Sequence, residues 1–289
     1  MKGRSKEVAF TVLVSSALAL LVAALVGVLV ALVALGGGGM SSLHEEADTA
    51  RAIYGTVLVT TVMTLAVIPV GVAAAVHLSE YARQGGALLA LVRSAVRTLA
   101  SVPSIVFGLF GLGFFVLFVG RGLDRLVCRD ETVPVFGRPG VLWASLTLAV
   151  LTLPVVVVAT EEALRAVPRE LREASQALGA SKLQTIARVV LPAARSGILT
   201  GAILAVGRGA GEVAAVLFTG VATYVPRYPT DLRDGFQHLG YQIYVLATQS
   251  PPSKESDSRM FACALVFVVA SFGLNACAFV LRDRARSRT

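Results

Sequence analysis

The sequence predicts an all-helical membrane protein that crosses the bilayer six times. Apolar residues make up 55% of the 289 residues, charged residues make up only 15%, and the mean hydropathy is +0.75. A water-soluble domain cannot bury so much apolar surface. Six apolar runs reach or approach the roughly 20 residues that a helix needs to span a bilayer. The predicted spans are residues 9–35, 55–76, 99–119, 141–160, 197–221 and 260–281.

The first run is interpreted as a retained helix at the periphery of the bundle. Its apolar core is longer than the roughly 7–15 residues of a signal sequence, and it carries no charged residue. Cleavage near the glycine run 36–39 stays open as an alternative. Because no long polar stretch remains, residues 1–289 are predicted to form a single transmembrane domain.

The basic residues predict the orientation of the chain. With a cytoplasmic N-terminus, 16 of the 26 Lys and Arg residues lie on the cytoplasmic side, 9 lie in outer loops, and Arg208 lies within the membrane. Cytoplasmic loops carry such an excess of Lys and Arg. Both termini are therefore expected on the cytoplasmic side of the cell (inner) membrane. The net charge of +8 is explained by this topology and requires no nucleic-acid partner.

Prolines and glycines mark the second to fourth spans. Pro69 lies within the second span, where a kink is expected. Residues 101–104, Ser-Val-Pro-Ser, are a favourable helix start for the third span, and glycines further along allow close helix packing. The fourth span contains Pro154 and is expected to end near Thr160.

The cytoplasmic loop 161–195 is predicted to form two short helices with a bend. Pro168 suits the first turn of a helix, and Gly179 suits its C-terminal end. Residues 181–184 show a capping-box pattern that starts a second helix, which Pro192 is expected to end. This charged, bent loop favours docking to another protein. An amphipathic loop that lies on lipid is the alternative.

The fifth span carries two ionisable residues, Arg208 and Glu212. Four residues apart, they are expected on one helix face. Ionisable groups in a span normally face the bundle interior or a water-filled path. A guanidinium offers a planar set of donors suited to an oxyanion, so the two residues are predicted to line a substrate path. A structural ion pair that fixes helix packing is the alternative.

The outer loop 224–259 is predicted to contain a short interfacial helix near residues 232–246, which serves either as a partner contact or as an ordinary connector. The sequence has no phosphate-binding loop and no hydrolase or zinc-protease motif. Its three cysteines and three histidines are scattered, so no metal site or cofactor is predicted. The chain is not expected to be an enzyme, and any ATP hydrolysis would need a separate subunit.

The loop resembles the EAA loop of permease subunits of ABC importers. The matching residues are Glu173-Ala174-Ser175, then Gly179, then Val189-x-Leu191-Pro192, with Ser and Val as mild departures from Ala and Ile. The resemblance implies a type I (MetI-like) permease fold in which this loop docks into a groove of the ATPase. The coupling residues that it implies are Glu173, Ala174, Gly179, Leu191 and Pro192.

A closer resemblance is to the A-type permeases of the phosphate-specific transport system. It rests on residues 100–109, 160–168, 208–219 and 241–247. It implies import of inorganic phosphate by alternating access. The implied partners are a second, C-type permease, a dimer of ATPase subunits and an extracytoplasmic phosphate-binding protein. Val213 stands where that family usually has Thr, so a role for this hydroxyl is not carried over.

Four alternatives stay open from the sequence. The chain could be a permease for another oxyanion such as molybdate or sulfate, or the paralogous C-type phosphate permease. An ion-coupled secondary transporter would also carry an intramembrane Arg and Glu, but it would not need the bent loop. A structural or assembly membrane protein would not need Arg208 for uptake.

Overall fold

The computed structural model describes residues 22–24, 26–37, 47–82, 86–127, 133–251 and 253–286. Within these ranges the chain is helical apart from turns and a single bridge between Val221 and Phe236. The helices, numbered in chain order, are α1 Val22–Gly36, α2 Ala47–Val76, α3 Ala87–Leu99, α4 Ser104–Val127, α5 Val141–Ala166, α6 Arg169–Ala177, α7 Lys182–Ala210, α8 Leu239–Thr248 and α9 Lys254–Arg286.

The predicted all-helical architecture is confirmed. Helices α2, α4, α5, α7 and α9 are long and apolar enough to cross a membrane, and they correspond to the second to sixth predicted spans. Most of the first predicted span, 9–35, lies outside the described residues, and α1 covers its end.

Helix α5 is the centre of the bundle, and it packs along both α2 and α7. The core between these helices contains Met63 of α2, Leu148 and Leu151 of α5, and Ala205 of α7, all fully buried. Threonine hydroxyls within the buried stretch donate to carbonyls one turn back; that of Thr152 lies 2.8 Å from the Leu148 oxygen. Such bonds satisfy a hydroxyl inside an apolar bundle without a partner from another helix.

Main-chain segments meet closely at one end of the bundle, which the predicted orientation makes the outer end. A Cβ atom added to Gly55 would lie 2.1 Å from the Gln237 carbonyl oxygen, and one added to Gly120 would lie 2.3 Å from the Phe136 oxygen. At Gly140 and Gly220 the corresponding distances to a main-chain oxygen are 2.6 Å and 2.5 Å. The loop before α5 therefore packs directly against the backbone of α4, and the loop before α8 packs directly against the backbone of α2.

At the other, inner end lie the loop between α5 and α7, a π-helical turn at His77–Tyr81 that follows α2, and helix α3. Helix α3 was not predicted, because the sequence was searched for runs of spanning length and this helix has 13 residues. Its Leu89 is buried in an apolar cluster with Ala75 and Leu164. Helix α3 therefore packs on the ends of α2 and α5.

The fifth predicted span, 197–221, is wrong at its C-terminal end. Helix α7 ends at Ala210, and residues 211–220 form turns. Apolar residues continue past this point and extended the hydropathy signal, but the helix has its C-cap at Gly211. The predicted interfacial helix at 232–246 also lies later in the structure, as α8.

The prediction that Pro192 ends a helix is also wrong. Residues Lys182–Ala210 are continuous helix, and Pro192 lies within it. Directly before the proline, Ile186–Val190 form a π-helical turn, in which the Leu191 N–H donates to the Ile186 carbonyl. Proline has no N–H for the carbonyl four residues back, and the wider turn accommodates this loss without stopping the helix.

Candidate functional site

The bent loop at the inner end has the local structure that its sequence predicts. Helix α6 begins directly after Pro168. Gly179 follows it with φ +87°, a left-handed conformation that glycine adopts readily. The Gln184 N–H then donates to the Ser181 hydroxyl (3.3 Å), and the Ser181 N–H donates to the Gln184 side-chain oxygen (2.8 Å). This capping box starts α7 immediately after the bend.

The outward surface of this loop combines acidic and apolar residues. Glu173, Ala174 and Gly179 are exposed, and the Leu178 side chain beside them is 90% exposed. Among the described residues, no membrane helix covers this leucine. Three of the implied coupling residues therefore lie on one accessible surface.

The other two implied coupling residues, Leu191 and Pro192, lie at the base of the loop. Leu191 is partly buried and packs against the inner apolar cluster, whereas Pro192 is exposed. The structure thus separates the five residues into a surface group on the bend and a group inside the start of the membrane helix.

Ser175, one of the departures from the family pattern, has a structural role in this chain. Its hydroxyl lies 3.0 Å from that of the buried Thr185, so a hydrogen bond joins α6 to the start of α7. On the same side of the loop, the Lys182 ammonium lies 4.9 Å from the centre of the Tyr81 ring. The first contact holds α6 against the start of α7, and the second holds the start of α7 against the turn after α2.

Arg208 and Glu212 are not on one helix face. Arg208 lies in the last turn of α7, and Glu212 follows Gly211 outside the helix. Both are partly buried, and neither side chain forms an ion pair or hydrogen bond with a described residue. The structural ion pair considered above is therefore not supported, because the helix ends before its second member.

The turn that carries Arg208 is held between two other spans. A Cβ atom added to Gly207 would lie 2.7 Å from the Asn275 side chain of α9, and one added to Gly209 would lie 2.3 Å from the Met63 sulfur of α2. The glycines on either side of Arg208 thus contact neighbouring helices closely, and Arg208 itself lies in the last turn of α7. There the helix dipole favours a positive charge.

A cavity of about 150 Å³ opens at the outer end between α8 and the chain around Thr223. Gln237, His238 and Gln242 line it, and each has a buried polar atom without a hydrogen-bond partner in the described chain. Burial lowers the pKa of His238 to about 4, so the imidazole is neutral. No cationic side chain lines the cavity, which therefore suits water better than an anion. The sequence did not indicate this cavity, because its lining residues are uncharged and lie in or next to an outer loop.

A family model matches most of the chain. Residues 68–288 match the family described as "Binding-protein-dependent transport system inner membrane component". The match includes the bent loop, the last third of α2 and all helices after it.

Several curated relatives are similar to the chain over most of its length. One is a probable ABC transporter permease protein, YqgI of Bacillus subtilis, with 34% identity over 84% of this chain and 78% of that protein. Another is the phosphate transport system permease protein PstA of Mycobacterium leprae, with 36% identity over 78% of this chain and 67% of that protein. PstA 1 of Mycobacterium tuberculosis is 34% identical over 82% of this chain and 70% of its own length.

Solved structures share the fold. A chain of the bacterial alginate ABC transporter covers 93% of this chain and 91% of its own length, with a TM-score of 0.67 and 17% identity. A chain of the MetNI methionine ABC transporter, in an inward-facing conformation, covers 82% of this chain and 96% of its own length, with a TM-score of 0.62 and 20% identity.

Proposed function

Because this chain belongs to the family of binding-protein-dependent transport system inner membrane components, we propose that it is the permease subunit of an ATP-driven importer that carries inorganic phosphate. Three of the similar relatives described above are named as permeases: two PstA proteins of phosphate transport systems and one probable ABC transporter permease. The relatives named for phosphate transport support the choice of substrate.

The observation that carries the substrate proposal is the position of Arg208. Its guanidinium is partly buried at the end of a membrane helix, and it has no carboxylate partner among the described residues. A cation in this environment is costly unless an anion or water accompanies it. An oxyanion passing through the membrane would be a transient partner for its planar set of donors.

Glu212 is the second residue of the proposed path. It follows Arg208 across the end of α7 and is partly buried, without a hydrogen-bond partner among the described residues. A carboxylate close to the path repels an anion, so it would prevent the arginine from binding phosphate too tightly for release. The pair would thus balance capture against release.

The bent loop supports the choice of an ATP-driven mechanism. In our proposal Glu173, Ala174 and Gly179 contact the ATPase subunits, and Leu191 and Pro192 pass the motion into α7. ATP is bound and hydrolysed by the ATPase dimer, and the bundle alternates between outward and inward access. A second, C-type permease supplies the other half of the path, and an extracytoplasmic binding protein delivers phosphate. Both termini lie in the cytoplasm in this arrangement.

Uptake of radiolabelled phosphate tests the role of Arg208. Phosphate-starved cells that lack this gene would receive the wild type or Arg208→Gln. We expect the variant to reduce uptake about ten- to 100-fold, since a hydrogen bond to a charged group contributes about 1.5–3 kcal/mol. Arg121→Gln, at an exposed position on α4, is the matched control and should keep uptake near the wild-type level.

Three results would contradict parts of the proposal. Normal uptake by an assembled Arg208→Gln variant would remove Arg208 from the path. Restoration of labelled sulfate or molybdate uptake by the wild type, without restoration of phosphate uptake, would identify another oxyanion as the substrate. Uptake that continues in cells without the ATPase subunit would indicate an ion-coupled transporter. The amount of each variant in the membrane and its copurification with the ATPase are measured in parallel.

A further inference from the structure

Arg172 lies on α6, yet its guanidinium binds groups outside that helix. One terminal nitrogen donates to the Val167 carbonyl at 2.6 Å, and the other donates to the Leu164 carbonyl at 2.7 Å. These carbonyls belong to the last turn of α5, where main-chain oxygens have no N–H partner four residues further along. The side chain thus caps α5 from the following helix.

The same guanidinium also binds Glu80, on the π-helical turn after α2. The Glu80 carboxylate oxygen lies 2.9 Å from one terminal nitrogen of Arg172 and 3.3 Å from its Nε. The side chains are only 12% and 18% exposed, so water screens this pair weakly. One arginine therefore joins three elements: α6, the end of α5 and the end of α2.

A second ionic contact holds the same ends together. The Arg93 Nε of α3 donates to the Glu161 carboxylate of α5 at 2.7 Å, and an Arg93 terminal nitrogen donates to the Leu78 carbonyl at 3.2 Å. Thus α3 ties the end of α2 to α5 independently of the loop. Arg172 differs from Arg93 because it lies on the bent loop and therefore connects the loop to α5 and to the end of α2.

The backbone alone gives α6 a connection to α5 but not to α2. Only Val167 and Pro168 separate α5 from α6, whereas α2 is 92 residues away from Arg172 along the chain. The bond between Glu80 and Arg172 joins α6 directly to the end of α2. A displacement of α6 therefore reaches α2 through this bond as well as through α5.

We propose that Glu80 and Arg172 form a latch that makes the coupling helix α6 move as one body with the inner ends of α2 and α5. This inference rests on the proposed function, because it assumes that an ATPase moves α6. Arg172 is a positioning residue that acts through Glu80 and the α5 carbonyls without touching the substrate. Breaking the latch should let α6 follow the ATPase while the membrane helices lag behind.

The test measures phosphate transported per ATP hydrolysed by the complete transporter in proteoliposomes. Glu80→Gln is the primary variant, because the amide keeps the shape of the side chain and leaves the carbonyl contacts of Arg172 in place. We expect transport per ATP to fall at least about fivefold, the lower end of typical coupling between sites. ATP hydrolysis should stay within about twofold of the wild type. Glu162→Gln, an exposed carboxylate at the same end, is the matched control and should leave the ratio unchanged.

A further variant separates charge from geometry. Arg172→Lys keeps the charge but loses the planar set of donors, so we expect an intermediate ratio. An assembled Glu80→Gln complex with the wild-type ratio would overturn the proposal.

If the Glu80→Gln variant does not assemble with the ATPase, a second measurement on the permease chain alone tests the latch. Hydrogen exchange is then followed on the full chain in detergent, and Glu80→Gln should speed exchange of the α6 amides while the α5 core stays protected. Unchanged exchange of α6 would overturn the latch. Failure of the wild-type complex to transport phosphate would instead contradict the proposed function, so the two proposals fail in different measurements.

Discussion

Two arginines in this chain have different surroundings, although both are only partly exposed. Arg172 donates to two main-chain carbonyls at the end of α5 and to one carboxylate, whereas Arg208 has no hydrogen-bond partner among the described residues. A guanidinium with its donors occupied is structural, and one with its donors unused is available to a ligand. This contrast is why the two residues have different proposed roles.

Local residue patterns were predictable from the sequence, and distant contacts were not. The bend at Gly179 and the capping box at Ser181 depend on neighbours within three residues, and the structure contains both. The bond between Arg172 and Glu80 joins residues 92 positions apart, and no local pattern indicates it. The predicted placement of Arg208 and Glu212 on one helix face was wrong, because the prediction assumed that the helix continues past Gly211.

The buried His238 predicts a pH-dependent stability. Its side chain is 1% exposed and lies among aromatic rings, and burial lowers its pKa from 6.5 to about 4. Between these values the unfolded chain binds more protons than the folded chain, so stability is full above pH 6.5 and falls as the pH falls toward 4. The expected loss approaches about 1.4 kcal/mol per pH unit in the middle of this window and is smaller at its two ends.

Unfolding of the purified chain in detergent at pH 6.5 and pH 5.5 measures this effect. The wild type should lose about 1 kcal/mol more than His238→Gln over that interval, because glutamine cannot bind the proton. Equal losses in the two proteins would mean that other groups cause the pH dependence.

At the scale of elements, the bend between α6 and α7 depends on one backbone conformation. Gly179 has φ +87°, and a Cβ atom added there would meet no other atom within 4 Å. Substitution at this position is therefore limited by backbone strain, which amounts to about 1–2 kcal/mol for most residues and less for Asn.

We expect Gly179→Asn to keep most transport and Gly179→Val to lose it. Valine is branched at Cβ and disfavours positive φ, whereas asparagine adopts it several-fold more often than most residues. The measurement is phosphate uptake together with copurification of the ATPase. Asparagine is also the control for added side-chain bulk at the ATPase surface, so equal loss in both variants would point to bulk instead of backbone conformation.

Both ends of helix α7 differ from the prediction, each for its own reason. A proline in an apolar region was taken as a stop, but the wider turn before it carries the helix through. At the other end, the apolar residues after Gly211 were taken as a continuation, although the main chain turns there. The order of the second to sixth spans depends on composition, which averages over such details, so it was predictable; the first predicted span lies largely outside the described residues.

At the scale of the whole molecule, the orientation in the membrane is a direct prediction. In a variant without the native cysteines, Tyr228→Cys at the outer end should react with a membrane-impermeant maleimide in intact cells. Ser181→Cys on the bend should react only after the membrane is opened. The chain is expressed without the ATPase subunit, so that docking does not shield the bend. Reaction of Ser181→Cys in intact cells would reverse the proposed orientation.

The main-chain contacts at the outer end have a consequence for how such a sequence can drift over evolution. Any replacement of Gly55, Gly120, Gly140 or Gly220 would place a carbon within 2.6 Å of a carbonyl oxygen. At the inner end, Gly197 and Gly201 instead face the methyl groups of Ala163 and Ala159, and a change there has compensating partners. A lineage can therefore vary the inner contacts in pairs, whereas each of the four outer glycines must be kept or lost together with the local fold.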